Sequence, residues 1–482
     1  MNYKMMGRFM AQILAIEGVF MIPALGICLW DGSQGAALGF GCAIVLDAFL
    51  SAVLWLTCRS SPSAFYAREG LVCVGASWIV LSLIGCLPFW ISREIPLYID
   101  AFFEIVSGFT TTGSSILPNV EALSRGLLYW RSFSHWLGGM GVLVFLLAFT
   151  GGKGQGFTMH LLRAESPGPN VGKLVPKMRN TASILYVLYI ALTVLNFLFL
   201  IAGRMPVFDA ICTALGTAGT GGFGIKNDSM ASYSPYLQNV TTVFMALFGV
   251  NFSCYYLLLL RQWKSVFGDE ELRLYVLLVF GSITLITLNL GDFYPTLAET
   301  IRHAAFQVST IITTTGFATT DFDLWPAFSK SILVFLMLVG ACAGSTGGGL
   351  KCARLLLLMK NLGRNIQQTI RPRKVQMVRT NGQTVDEKVL SNADAYLAAY
   401  VIIIFLSYMV ISLDNFSFGT NFTAVLACFN NIGPGLEAVG PTCNFAAYST
   451  LSKLVLCFDM LAGRLEIFPM LALMSPMVWK KR

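Results

Sequence analysis

Charge is scarce in this chain of 482 residues: Asp, Glu, Lys and Arg make up only 12% of it. Soluble domains carry about 25%, so a soluble enzyme or a soluble nucleic-acid-binding domain is excluded. Histidine is scarcer still, with three residues, too few for a His-rich metal centre or an obvious proton relay. The twelve cysteines form no CxxC motif and pair with no histidine. Those at Cys42, Cys86, Cys254, Cys428 and Cys457 stand inside apolar stretches, where small, reduced, buried hydrophobes are expected rather than metal ligands or disulfides. Nucleophiles, acids and metal ligands are not clustered anywhere, so the expectation is that the chain is not an enzyme. The net charge of +8 fits basic loops on one side of a membrane, and no nucleic-acid partner is expected.

What the chain has instead is apolar length. Hydrophobic residues make up 55% of it, and runs of about 20 residues recur, enough to cross a ~30 Å hydrocarbon core. Lys4 and Arg8 precede an apolar stretch over 9–30, too long for a removable signal. "LGIC" at 25–28 has Ile27 where a lipoprotein site needs a small residue. Ten full crossings are expected, near 9–30, 36–57, 71–91, 127–149, 182–202, 239–260, 273–290, 329–350, 394–413 and 452–473. Four shorter apolar stretches, 100–111, 207–219, 299–314 and 420–431, read as half-helices that dip in and turn back. With the N-terminus inside, most of the 33 basic residues fall on the inner side, including the run from Lys351 to Lys388 and the terminal Lys480, Lys481 and Arg482. Both termini are then cytoplasmic, and all four half-helices enter from outside.

The half-helices repeat. Asp100, Asp209, His303 and Thr420 each stand thirteen residues before a glycine: Gly113, Gly222, Gly316 and Gly433. Those glycines are 109, 94 and 117 residues apart. Each unit reads span, half-helix, glycine turn, span, which implies one unit used four times around an axis. The expected fold is an all-α polytopic membrane protein with four pseudo-symmetric repeats around a central pore, preceded by two extra helices. The divisions are 1–60 for the extension, 61–150, 151–260 and 261–360 for three repeats, and 361–482 for a basic cytoplasmic loop with the fourth.

Non-helical backbone at membrane depth must be buried in protein or line a water-filled path. Four such turns on one axis present carbonyl oxygens to a common point, where they can replace the water shell of a potassium ion. The expected ion-binding residues are Thr110, Thr111, Thr112 and Gly113; Gly219, Thr220, Gly221 and Gly222; Thr313, Thr314, Thr315 and Gly316; and Asn430, Asn431, Ile432 and Gly433. The negative ends of the half-helices point inward and favour a cation. The second turn departs from the others in having Gly219 and Gly221 around Thr220.

The chain resembles the TrkH-type subunit of bacterial Trk potassium uptake systems, within the Trk/Ktr/HKT superfamily. The resemblance runs end to end and is carried by "TTTGSS", "SHWLGGMG" (134–141), "RAESPGP" (163–169), "TTTGF", "GACAGSTGGGLK" (340–351), "NNIGPGLEAVG" (430–440) and "GRLEIFPM" (463–470). It implies potassium uptake across the inner membrane, a homodimer with one pore per subunit, and a cytoplasmic TrkA-type partner that binds NAD or ATP and regulates opening. No cofactor is expected on this chain, potassium being cargo.

Two features read as a gate. The glycines of "GACAGSTGGGLK" cost a helix roughly 5 kcal/mol together, so a break is expected beneath the third turn. The candidate gate residues there are Gly344, Ser345, Thr346, Gly347, Gly348 and Gly349, and the resemblance marks this stretch as the intramembrane loop that obstructs conduction. A phosphate loop fails because Lys351 does not directly follow the last glycine. Close helix packing is the plainer role for such glycines. Arg464, in the middle of the last span, costs roughly 2.5–3.5 kcal/mol to insert unless it faces a partner or water. At about 6 Å from a potassium ion it would repel by roughly 2.8 kcal/mol. A salt bridge to Asp459 or Glu466 is the structural alternative. Glu104 and Glu437 read as acids near the outer mouth, and Asp47, His135 and Asp394 as hydrogen-bonded structural groups. The second functional reading is a symporter coupled to sodium or protons in the same fold.

Overall fold

The computed structural model describes residues 1–59, 67–141, 178–373 and 376–480. Helices dominate, and the strands among the described residues form one two-stranded hairpin, Arg379–Thr380 with Gln383–Thr384. Among the described residues, six helical stretches are long and apolar enough to cross a membrane: Tyr3–Trp30, Gln34–Thr57, Arg68–Ile91, Ser183–Ala202, Glu270–Phe293 and Glu387–Asp414. The first two pack on each other as an antiparallel pair, and Tyr3–Trp30 also lies against the helix Arg125–Gly139.

The four short apolar stretches are short helices. They are Tyr98–Phe109, Val207–Gly219, Leu297–Ile312 and Phe418–Phe429, here called the first to fourth pore helices. Each precedes a turn and then an inner helix: Arg125–Gly139, Pro235–Phe248, Ala327–Val339 and Thr450–Arg464. The pore helices are buried nearly all round in their C-terminal halves. Their caps are made by short polar side chains where the chain allows it: Thr296 accepts from the Glu299 N–H and Ser417 from the Thr420 N–H.

Two inner helices break where uninterrupted crossings are expected, and a third breaks where its glycines predict. Pro235–Phe248 meets Phe252–Leu259 at 90°. Gly249 stands at that corner in close packing, where a Cβ would lie 2.6 Å from both Thr313 Cγ2 and the Tyr275 hydroxyl. Ala327–Val339 stops at Gly340, where φ is +73°, and helix resumes only at Cys352. Thr450–Arg464 ends in a turn with Glu466 and Ile467 at φ +57° and +65°, a costly region for a β-branched side chain. Hydropathy registers composition, and the breaks after Phe248 and Arg464 leave composition almost unchanged. The rest of the expected crossing 127–149, from 142 on, and "RAESPGP" lie outside the described residues. Cys42, expected to be buried, is exposed on the outer surface of its helix.

Candidate conduction site

All four turns share one backbone path. The residue two before the aligned glycine is left-handed in each: φ is +56° at Thr111, +54° at Thr220, +57° at Thr314 and +56° at Asn431. The next N–H closes back on the carbonyl five residues earlier: Thr112 to Ser107 at 2.9 Å, Gly221 to Gly216 at 3.0 Å, Thr315 to Thr310 at 2.7 Å and Ile432 to Ala427 at 2.9 Å. This is the 6→1 closure of a Schellman helix end. It consumes carbonyls of the pore helix and leaves those of the turn itself uncommitted to the helix.

The turns also close on one another as a ring. A Cβ added to Gly113 would lie 2.2 Å from the Gly221 carbonyl oxygen, and one on Gly222 would lie 1.9 Å from that of Thr315. One on Gly316 would lie 2.3 Å from the Ile432 oxygen, and one on Gly433 would lie 2.8 Å from that of Thr112. Each aligned glycine thus faces the carbonyl that precedes the next aligned glycine, and the circuit returns to its start. All four glycines have positive φ, between +71° and +99°, which only glycine adopts without strain. A cavity of about 180 Å³ opens above the ring and touches all four glycines. The turns and glycines singled out from the sequence are therefore brought together.

Threonine hydroxyls brace the turns. Thr110 Oγ1 donates to the Val106 carbonyl at 2.7 Å and lies 2.7 Å from Thr112 Oγ1. Thr313 repeats this with Ser309 at 2.6 Å and Thr315 at 2.8 Å. Asn431 Nδ2 donates to Thr112 Oγ1 at 2.9 Å, joining the fourth turn to the first.

The departure of the second turn has a steric cause that the sequence did not reveal. His135, on the first inner helix, fills the space beside it. Its Nδ1 lies 2.8 Å from the Gly108 carbonyl, and its Nε2 accepts from the Phe223 N–H at 3.3 Å. A Cβ at Gly221 would sit 2.1 Å from the imidazole, and one at Gly219 would sit 2.2 Å from the His135 carbonyl. Threonines would not fit there.

Arg131, one turn earlier on the same helix, corrects the expectation for Glu104. Both side chains are buried, with Arg131 Nη2 2.7 Å from Glu104 Oε1. Ser115 Oγ and the Ile116 N–H also donate to the Glu104 carboxylate at 3.0 Å each. Glu104 is a neutralised buttress behind the first turn, not an acid of the outer mouth. Asp100 is likewise taken, by Lys453 at 2.6 Å. Glu437 is exposed and accepts from Ser417 and Thr420; the Ser417 hydroxyl is the main cause that holds its carboxyl below the ordinary range. Asp394 accepts from Asn361 at 3.0 Å. Asp47, expected to be hydrogen-bonded, is buried beside Glu17, and neither carboxylate has a hydrogen-bond partner among the described residues.

Beneath the ring, residues 340–351 run as irregular backbone, the broken segment the glycines predicted. The Gly348 N–H donates to Thr314 Oγ1 at 2.6 Å. A Cβ at Gly348 would lie 2.4 Å from the Asn430 carbonyl, and one at Gly347 would lie 2.8 Å from that of Thr313. This loop therefore presses against the inner side of the third and fourth turns. Arg464 reaches it directly, donating to the Thr346 carbonyl at 2.8 Å. It also donates to the Gly138 and Gly139 carbonyls at 2.5 and 2.6 Å. Of the acids considered as its partners, Glu466 pairs with Arg354 and Asp459 accepts from Ser407 at 2.7 Å. Gly138 and Gly463 serve close packing, since a Cβ on either would lie 1.8 Å from the carbonyl of Phe109 or Phe429.

Four re-entrant turns joined in one ring, within an all-helical bundle, define the class: a polytopic membrane transport protein of four-repeat pore architecture. The family described as "TrkH: Cation transport protein" matches residues 40–481. The chain belongs to that family. It is 33% identical over 491 aligned positions to the Trk system potassium uptake protein TrkH of Salmonella typhimurium, covering all of both chains. It is 31% identical to the Trk system potassium uptake protein TrkG of Escherichia coli, over 95% of each. The crystal structure of the potassium transporter TrkH from Vibrio parahaemolyticus superposes with a TM-score of 0.89 at 30% identity, covering all of both chains.

Proposed function

We propose that this chain takes up potassium across a bacterial inner membrane through a gated pore, with both termini cytoplasmic. The observation that carries the reading is the ring of four turns, in which backbone oxygens of successive repeats meet around one axis. Carbonyls so held replace the hydration shell of a cation without chemistry. The ion-binding groups are then the turn residues 110–113, 219–222, 313–316 and 430–433. The cavity above them is the outer vestibule. The loop 344–349 and Arg464 obstruct the inner side, one as backbone and one as a fixed positive charge, and their mutual hydrogen bond makes them a single barrier. Opening requires that barrier to move. A soluble TrkA-type partner binding NAD or ATP on the cytoplasmic face, and a homodimer with one pore per subunit embedded in lipid, are the assembly that family membership favours.

The test is potassium flux into vesicles holding the purified protein, with and without its cognate partner, alongside growth of a potassium-uptake-deficient bacterium on low potassium. Flux that tracks the potassium gradient and membrane potential alone supports a pore. A reversal potential that also moves with sodium or pH overturns it in favour of a coupled symporter.

A further inference from the structure

The gate loop is pinched at its base. The Leu350 N–H donates to the Leu338 carbonyl at 3.3 Å, Lys351 to Val339 at 2.9 Å and Cys352 to Ala341 at 3.0 Å. Backbone bonds from Cys342 to the Gly249 carbonyl and from Phe252 to that of Gly344 also hold the loop, but one side chain, Glu271, bridges both of its feet. Its Oε1 accepts from the Ala343 N–H at 2.5 Å and from the Ala353 N–H at 3.1 Å, one donor on each side of the loop. The side chain is buried and lies in the first turn of the helix Glu270–Leu290.

That helix start is tied to a different part of the chain. Asn381, in the turn of the small hairpin, accepts from the Glu270 N–H at 2.9 Å and donates to Asp269 Oδ2 at 2.8 Å. Lys360 pairs with Glu270 and donates to the Arg379 carbonyl at 2.6 Å. The hairpin turn is exposed. Its Asn381-Gly382 pair suits a tight turn, with φ of +51° and +76°.

We propose that Glu271 is a positioning residue that transmits the placement of the hairpin Arg379–Thr384 to the gate loop. Displacing the exposed hairpin shifts the helix start by way of Asn381, and the carboxylate one residue on carries the shift to both feet at once. A hydrogen bond to a charged group is stronger than one to a neutral group, which suits a single oxygen that holds two donors. The proposal rests on the reading of residues 344–349 as the gate and of the hairpin side as cytoplasmic.

The experiment measures partner-independent potassium flux in vesicles for Glu271→Ala, Glu271→Gln, Asn381→Ala and the double variant Glu271→Ala with Asn381→Ala. Shortening the loop by deletion of residues 346–348 is the control for the gate itself. Glu271→Ala removes two hydrogen bonds to the loop feet and is expected to raise basal flux at least about tenfold, the size of one charge-assisted bond. Glu271→Gln, which keeps an acceptor of the same size, should raise it less, and Asn381→Ala should raise it modestly. The double variant should equal Glu271→Ala alone, because both act along one route. The potassium-to-sodium flux ratio should stay unchanged in the Glu271 and Asn381 variants. If loop deletion raises flux while Glu271→Ala and Glu271→Gln do not, the staple is refuted and the gate stands. If the two single effects multiply, Glu271 does not lie on the path from the hairpin. If loop deletion leaves flux unchanged, the gate reading itself falls. A Glu271→Ala protein that does not fold leaves Glu271→Gln and Asn381→Ala to decide.

Discussion

Replacing each aligned glycine by serine tests whether the ring sets ion selectivity. A Cβ at these positions carries two penalties. Left-handed or otherwise positive φ costs a side-chain-bearing residue roughly 1–2 kcal/mol. The second penalty is overlap with the facing carbonyl, and it differs around the ring. The added carbon would lie 1.9 Å from its oxygen at Gly222, 2.2 Å at Gly113, 2.3 Å at Gly316 and 2.8 Å at Gly433. Overpacking of this kind costs typically 1–3 kcal/mol in a close-packed interior. The ring can relieve it only by moving the carbonyl that would coordinate the ion. A displacement of several tenths of an ångström there removes the match to a desolvated potassium ion. Selectivity should therefore fall before folding fails. The expected order of loss is Gly222→Ser, then Gly113→Ser and Gly316→Ser together, then Gly433→Ser. The assay is the ratio of potassium, rubidium and sodium uptake into vesicles, corrected for the amount of folded protein recovered. An unchanged sodium-to-potassium ratio in Gly222→Ser and Gly316→Ser, at normal flux, would refute the ring as the selectivity element.

Three further outcomes are expected. Arg464→Ala removes three hydrogen bonds that hold the loop and the end of the first inner helix. Basal potassium flux should rise at least about tenfold, given roughly 1.5–3 kcal/mol per charged hydrogen bond, and Arg464→Lys should lie between, as read by rubidium uptake without partner. Gly221→Ala places a carbon 2.1 Å from the His135 ring and should lower the melting temperature of the purified protein by several degrees. Adding His135→Ala to that variant should recover part of the loss, whereas independent sites would simply sum. Glu437 titrates below the ordinary carboxylate range because Ser417, and after it Thr420, donate to its charged form. Its stabilising contribution is thus complete above the unfolded carboxyl pKa and is lost as pH falls through the lowered folded value. Thermal melts of wild type and Glu437→Gln should differ near neutrality and converge in acid.

Much of this architecture is legible in the residues because it repeats. A thirteen-residue interval recurring four times located every pore helix and every turn, and the glycine-dense stretch before Lys351 located the broken segment. Composition did not locate the breaks after Phe248 and Arg464, because a corner at Gly249 or at Glu466–Ile467 leaves an apolar run almost as apolar as before. Nor did it assign partners across the fold. Glu104 looks like a mouth acid until Arg131 is seen beside it, 27 residues away in sequence. His135 looks like a plain buried histidine until its ring is found against Gly221. The i, i+4 spacing of Arg131 and His135 is a signal that both belong on one buried face. Glu271 carries no such signal, since a first-turn glutamate is ordinary helix-start chemistry. Only tertiary structure brings it to Ala343 and Ala353.

The circuit of turns has an evolutionary corollary. In a channel assembled from four identical subunits, one altered codon changes every quarter of the aperture together. Here each quarter is written separately, so Gly219-Thr220-Gly221 can diverge to admit an imidazole while the other three keep bulkier residues. Because every quarter abuts the oxygen of the next, that freedom extends to side chains and stops at the backbone.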